Sequence, residues 1–156
     1  MEKLKLVALV VVGLVVVYFL ARTIIEPSFE KLDRNAVDIP DYVYSDPSQK
    51  GISEAYQNSG IDFREIYPTD NRFLLYYYDD NYWIFWTGVV DLDDGLKFIY
   101  TPKYSRLIVT DRNTNEIISS KLFLRDVTNA KIIDGYVYFV YASFANYKLG
   151  RYKLNE

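Results

Sequence analysis

The sequence predicts a mainly β fold: an N-terminal transmembrane helix followed by a small antiparallel β-meander (a sandwich, a barrel-like or a propeller-like sheet) with one or two short helices. Three observations lead there. Leu6 to Ala21 (LVALVVVGLVVVYFLA) is uncharged and almost wholly apolar. Tyr (16) and Phe (9) are abundant while Met occurs once, a balance that suits sheets better than helix bundles. From Asn71 onward, apolar runs of strand length alternate with Asp, Asn and Gly clusters. The chain divides accordingly into an anchor over residues 1–26, a linker with a short helical segment over 27–70, and a β domain over 71–156.

The apolar run is the first element. Leu6–Ala21 as a helix covers about 24 Å, short of a ~30 Å hydrocarbon core, whereas Leu4–Ile25 reaches about 33 Å. The longer span works because Lys5 and Arg22 can snorkel to the two interfaces. Leu4, Leu6 and Gly13 then lie in the span, Tyr18 and Phe19 form an aromatic belt near its outer end, and Arg22 marks the boundary. A cleaved signal peptide would share the basic start and apolar core. It would need small residues before the cut, and Phe19 with Ala21 or Ala21 with Thr23 serve poorly. A buried core helix is disfavoured because the run has no polar face. Lys3 and Lys5 precede the run, so the N-terminus is expected in the cytoplasm and the β domain outside. Secretion after cleavage is the alternative.

Composition removes whole classes of function. The chain carries a net charge of −3, and setting aside Lys3, Lys5 and Glu2 leaves −4 for the rest, with no basic run. Nucleic acid is therefore not an expected partner. The bilayer, through residues 4–25, and a protein are. There is no Cys and no His, which removes disulfides, most transition-metal sites and the usual nucleophile–base pairs. No glycine-rich phosphate loop occurs, and no cofactor is expected. Catalysis would have to run on carboxylates, Lys, Tyr or Ser.

Pro27 ends the anchor. Residues 28–45 read as a short helical start and then an extended link through Ile39-Pro40. A helix follows, capped by Asp46, with Pro47 at its first position, Gln49 where a capping box wants it, and Gly60 at its end. Its apolar face would be Ile52, Ala55 and Tyr56. The meander then runs Phe73–Tyr78, Tyr82–Val90, Leu96–Thr101, Ser105–Thr110, Glu116–Leu124, Ala130–Ile133, Tyr136–Phe144 and Tyr147–Leu154. The turns are Asp79–Asn81, Asp91–Gly95, Asp111–Asn115 and Asp134-Gly135, the last a strong hairpin signal. Residues 104–123 and 132–155 share a strand–turn–strand rhythm like that of propeller blades, but two such units cannot close a ring.

Three constellations bear on function. Tyr76, Tyr78, Tyr82, Trp83 and Trp86, with Tyr138 on a later strand, form a dense aromatic set. Alternation places Trp83 and Phe85 on one face and Tyr82, Ile84 and Trp86 on the other. The set is either core packing or an exposed platform for a protein or a sugar. Asp91, Asp93 and Asp94 before Gly95 are a weak calcium loop, because position twelve would be Pro102 rather than Glu. Asp79, Asp80, Asp91, Asp93, Asp94, Glu65 and Glu116 could supply a carboxylate pair, though most sit in tight turns. The expected function is a membrane-anchored, extracytoplasmic protein-interaction module without catalysis. A carbohydrate or cell-wall binding module and, behind it, a carboxylate-dependent hydrolase are the alternatives.

Overall fold

The computed structural model describes residues 2–33, 36–37, 57–69, 72–88, 104–143 and 146–155. Helix α1 (Glu2–Ile25) is the apolar run, and among the described residues none of its span from Lys3 to Ile25 is fully buried. It is long and apolar enough to cross a membrane or to serve as a signal sequence.

Strand β1 (Glu30–Leu32) comes just after the helix, and the short turn α2 (Phe63–Ile66) precedes the main strand set. That set is β2 (Arg72–Tyr78), β3 (Tyr82–Gly88), β4 (Ser105–Asp111), β5 (Ile117–Phe123), β6 (Val127–Ile133), β7 (Tyr136–Ser143) and β8 (Asn146–Lys153). They form two four-stranded antiparallel sheets, β2-β3-β4-β5 and β1-β8-β7-β6. Strand β1 completes the second sheet from the opposite end of the chain. Glu30 stands directly across from Arg151 in that pairing, and their side chains meet at 2.8 Å.

The sheets meet across a shared core. Ile84, Trp86, Leu107, Val109 and Phe123 come from one side, and Ala130, Ile132, Val137, Phe139 and Tyr152 from the other. Period-two alternation assigns these residues to the inner face. The outer face of the first sheet is covered too. Phe63 of α2 packs on Phe73 at 4.8 Å and Phe85 at 4.4 Å, shielding Trp83 and Ile108. Burying each such side chain contributes roughly 1.5–3 kcal/mol. Asp62 holds α2 in place by accepting the Arg64 N–H at 2.9 Å. On the second sheet, Tyr138, Val140 and Leu149 are covered partly by Leu32 and Val37.

Three of the four predicted turns form for the predicted reason, and the fourth, Asp91–Gly95, lies outside the described residues. Asp79 Oδ1 accepts the N–H groups of Asn81 and Tyr82, both at 2.8 Å. Asp111 Oδ1 accepts those of Asn113 at 2.7 Å and Thr114 at 2.9 Å. Asp134 and Gly135 both take positive φ, 50° and 77°, as a tight two-residue hairpin requires.

Several expectations need correction. Residues 30–32 are a strand, not part of a helical start. The free edge of β8 and the pocket that takes the Phe29 ring, against Phe123, Phe139 and Tyr141, override the weak local preference. Strand β6 begins at Val127, three positions earlier than its apolar pattern suggested. Turn α2 was not anticipated at all. Residues 57–59 are helical and Gly60 follows at φ 70°, consistent with the predicted helix end. Asp46, Pro47, Gln49, Ile52, Ala55, Tyr56 and the strand at 96–101 lie outside the described residues.

Candidate functional site

The exposed aromatic platform does not form. Tyr76, Trp83, Trp86 and Tyr138 are buried, the two indoles to 1% exposure, while Tyr78 and Tyr82 are half-buried. The cause is double coverage: the second sheet packs on the Ile84/Trp86 side of β3, and α2 packs on the Trp83/Phe85 side. Tyr138 lies on the outer face of its sheet, where its hydroxyl accepts from Arg151 Nη1 at 2.9 Å. Asp91, Asp93 and Asp94 lie outside the described residues, and among the described residues no cluster of acids suited to a metal occurs.

Two other places gather polar chemistry, one at each end of the strands. The first is the junction between α1 and the sandwich. Glu26, one turn past Arg22, accepts from Arg22 Nε at 3.2 Å, from the Leu124 N–H at 3.0 Å and from Arg125 Nε at 2.8 Å. Its second oxygen also takes Arg125 Nη2. The Glu26 side chain is only 6% exposed. The Arg125 guanidinium is flanked by the Tyr141 ring at 4.7 Å and the Phe29 ring at 5.4 Å. Tyr18, of the expected aromatic belt, donates its hydroxyl to the Leu124 carbonyl at 3.0 Å. Tyr18 lies about 10 Å below Ile25 along the helix. The β5–β6 turn therefore lies beside the last two turns of α1 and does not hang beyond it on a tether. Of the other anchor residues, Leu4, Leu6 and Phe19 are exposed, and nothing lies within 4 Å of a Cβ built on Gly13.

The second place is a cleft of about 370 Å³ lined by Asn58, Ser59, Ile61, Trp83, Arg112 and Asn115. Arg112 and Asn115 belong to the β4–β5 turn, at the opposite end of β5 from Phe123 and the α1 junction. At ~3.3 Å per residue, the strand separates the two ends by about 20 Å. The Arg112 backbone N–H donates to the Asn81 carbonyl at 2.8 Å, tying this turn to the β2–β3 turn. Its guanidinium donates to the Asp79 carbonyl and sits over the Trp83 ring at 4.9 Å and the Tyr78 ring at 5.8 Å. Asn115 takes φ 61°, the left-handed conformation that ends the turn.

The neighbouring acids are engaged locally. Asp111 has its pKa lowered by the N–H bonds of Thr114 and Asn113. Tyr77, whose hydroxyl donates to Asp79 Oδ2 at 3.0 Å, is pushed up to about 12 by burial and then by that carboxylate. Asp80, Glu65 and Glu116 are exposed, and among the described residues no carboxylate lines the cleft.

Sequence reasoning missed Glu26, Arg125, Arg112 and Asn115 as participants. Each is an ordinary charged or turn residue locally, and only the fold brings them to a shared place. No family model, curated protein or solved structure matches the chain.

Proposed function

We propose that the chain is a single-pass membrane protein whose β-sandwich faces outward and works as a protein-interaction module, not as an enzyme. The observation that carries this reading is the seating of the sandwich on its own helix. Glu26 is buried between Arg22, Arg125 and the Leu124 N–H, while the Arg112 cleft opens at the other end of the strands. An anchor that only tethers needs no such seat. One that fixes the domain presents a chosen end to partners at a high effective concentration along the bilayer. Lys3 and Lys5 favour a cytoplasmic N-terminus.

Less supports the alternatives. Sugar binding by rings needs a free face, and the Trp83 ring is flanked by Arg112, by Tyr78 at 5.6 Å and by Phe85 at 6.3 Å. Carboxylate hydrolysis needs two acids across a cleft. Asp79 and Asp111 instead hold turns.

The test is a pull-down of the full chain from detergent-solubilised membranes, beside a chain whose residues 3–21 are replaced by an unrelated apolar helix. A protein partner kept by both supports recognition by the sandwich. A partner lost with the native helix puts recognition in the membrane and overturns the reading. Protease treatment of intact cells checks orientation: a β domain digested only after the membrane is opened would reverse it.

A further inference from the structure

We propose that the cleft at the β4–β5 turn binds a carboxylate carried by the protein partner, either an acidic side chain or a chain terminus. Arg112 and the Trp83 indole N–H are its donors. The proposal rests on the interaction reading and adds the chemistry that the partner must bring.

Five observations converge on it. The Trp83 Nε1–H is buried and has no hydrogen-bond partner among the described residues, and Trp83 lines the cleft. Native proteins rarely leave a buried donor unmet, because the loss is about 1–3 kcal/mol. Arg112 likewise has no carboxylate within ion-pair distance among the described residues; it gives one N–H to a backbone carbonyl. A guanidinium has five such donors in a planar fork shaped for carboxylate oxygens.

Among the described residues the cleft carries no negative charge to repel an anion. Its other walls are Asn58, Ser59, Asn115 and the apolar Ile61. Asp111 and Asp79 turn carboxylate oxygens to backbone N–H groups of their own turns, and Asp79 also accepts from the Tyr77 hydroxyl. The volume, about 370 Å³, lies at the small end for ligand sites and suits one side chain or terminus rather than a long segment. Arg112 is also held rigidly: its backbone bond to Asn81 and its place against Trp83 and Tyr78 set the fork before any ligand arrives. That preorganisation reduces the ordering cost of binding.

The peptide source is favoured over an acidic sugar for the reason that weakened the carbohydrate reading. The ring faces beside the cleft are already occupied, so a pyranose would find donors but no stacking surface.

The indole signals give a direct readout, since Trp83 and Trp86 are the chain's two tryptophans. Full-length protein in lipid nanodiscs is titrated by nuclear magnetic resonance with four probes. Acetyl-glutamate amide carries only a side-chain carboxylate, N-acetylglycine only a terminal one, acetyl-glutamine amide none, and methyl glucuronide a sugar acid. The Trp83 indole N–H should shift and saturate with the first two probes, with Trp86 unmoved as the fold control. Acetyl-glutamine amide should bind at least tenfold more weakly. Arg112→Gln should abolish the response and Arg112→Lys should keep a weakened one.

Whichever of the first two probes binds tighter identifies the side chain or the terminus as the source. A silent Trp83, an equal response to acetyl-glutamine amide, or an undiminished response in R112Q overturns the proposal. Tighter binding of methyl glucuronide than of both peptide probes overturns the assignment to a protein partner. In the pull-down, a partner retained by R112Q removes the carboxylate assignment and leaves the interaction reading standing. A partner lost from R112Q but kept by R112K supports both.

Discussion

Glu26, the residue after α1, and Arg125, in the turn joining the two sheets, form an ion pair across 99 positions of sequence. The side chains are 6% and 12% exposed. A pair this buried weighs differently from a surface one. Its formation gains little over an apolar pair, but removing Glu26 strands the Arg125 charge, and removing Arg125 leaves the buried Glu26 with the longer Arg22 contact and the Leu124 N–H. Arg125→Met alone should therefore cost about 3 kcal/mol in the unfolding free energy of the full chain in detergent. Glu26→Gln with Arg125→Met together should cost clearly less than the two single losses added. Strict additivity would mean that the two side chains do not act as a pair.

Phe63 has a second consequence that unfolding reads. It is the side chain that turns the outer face of β3 into core. Phe63→Ala should cost about 3–5 kcal/mol and move tryptophan emission to the red as Trp83 meets water. Val37→Ala on the other sheet should leave emission unchanged. An unshifted spectrum in F63A would mean that α2 does not shield Trp83.

This residue also shows where the sequence was readable and where it was not. The strands β2 to β5, the alternation on β3 and the three described hairpin turns follow from period two and from Asp, Asn and Gly chemistry, which act over a few residues. The coverage of β3 depends on Phe63 reaching across from a four-residue helical turn that has almost no periodicity of its own. An apolar strand face reads identically whether open or covered, so the aromatic platform and the packed core were indistinguishable until α2 was placed. Strand β1 is illegible for a related reason: three residues, Glu30–Leu32, carry no pattern, and their structure is dictated by the edge of β8. Arg112 reads as one more polar turn residue. What marks it is the pairing of its turn with Asn81, a contact visible only in the fold.

Gly150 sits where two rings close over the backbone. A Cβ there would stand 2.8 Å from the Phe139 ring and 2.9 Å from the Phe29 ring. Gly88 is tighter against something stiffer, the Tyr104 carbonyl oxygen at 2.6 Å. Rings can tilt, whereas a backbone carbonyl held in a sheet moves only with its strand. Gly150→Ala should thus cost about 1–3 kcal/mol, and Gly88→Ala at least as much. Thermal unfolding of the two variants ranks them. A milder G88A than G150A would show that the β3–β4 end yields more readily than the aromatic core.

The pH dependence of stability should have two limbs with separate owners. Burial pushes the Tyr152 hydroxyl up to about 12. In the unfolded chain the same group ionises near 10. Between those values the unfolded state has lost a proton that the folded state keeps, so unfolding is favoured as pH rises. A shift of this size corresponds to a loss on the order of 2–3 kcal/mol by pH 12. Tyr77 is raised in the same direction and adds to the limb, but it is more exposed and its share is screened. At the acid end the sign reverses. The Thr114 and Asn113 N–H groups lower the Asp111 pKa, so its contribution is intact above about pH 4 and fades as pH falls through the depressed value. Tyr152→Phe should flatten the curve between pH 10 and 12 and leave the acid limb alone. Asp111→Asn, which keeps the turn acceptor without the charge, should do the reverse. Denaturant titrations across the pH range decide it. An alkaline limb undiminished in Y152F would assign that limb to other groups.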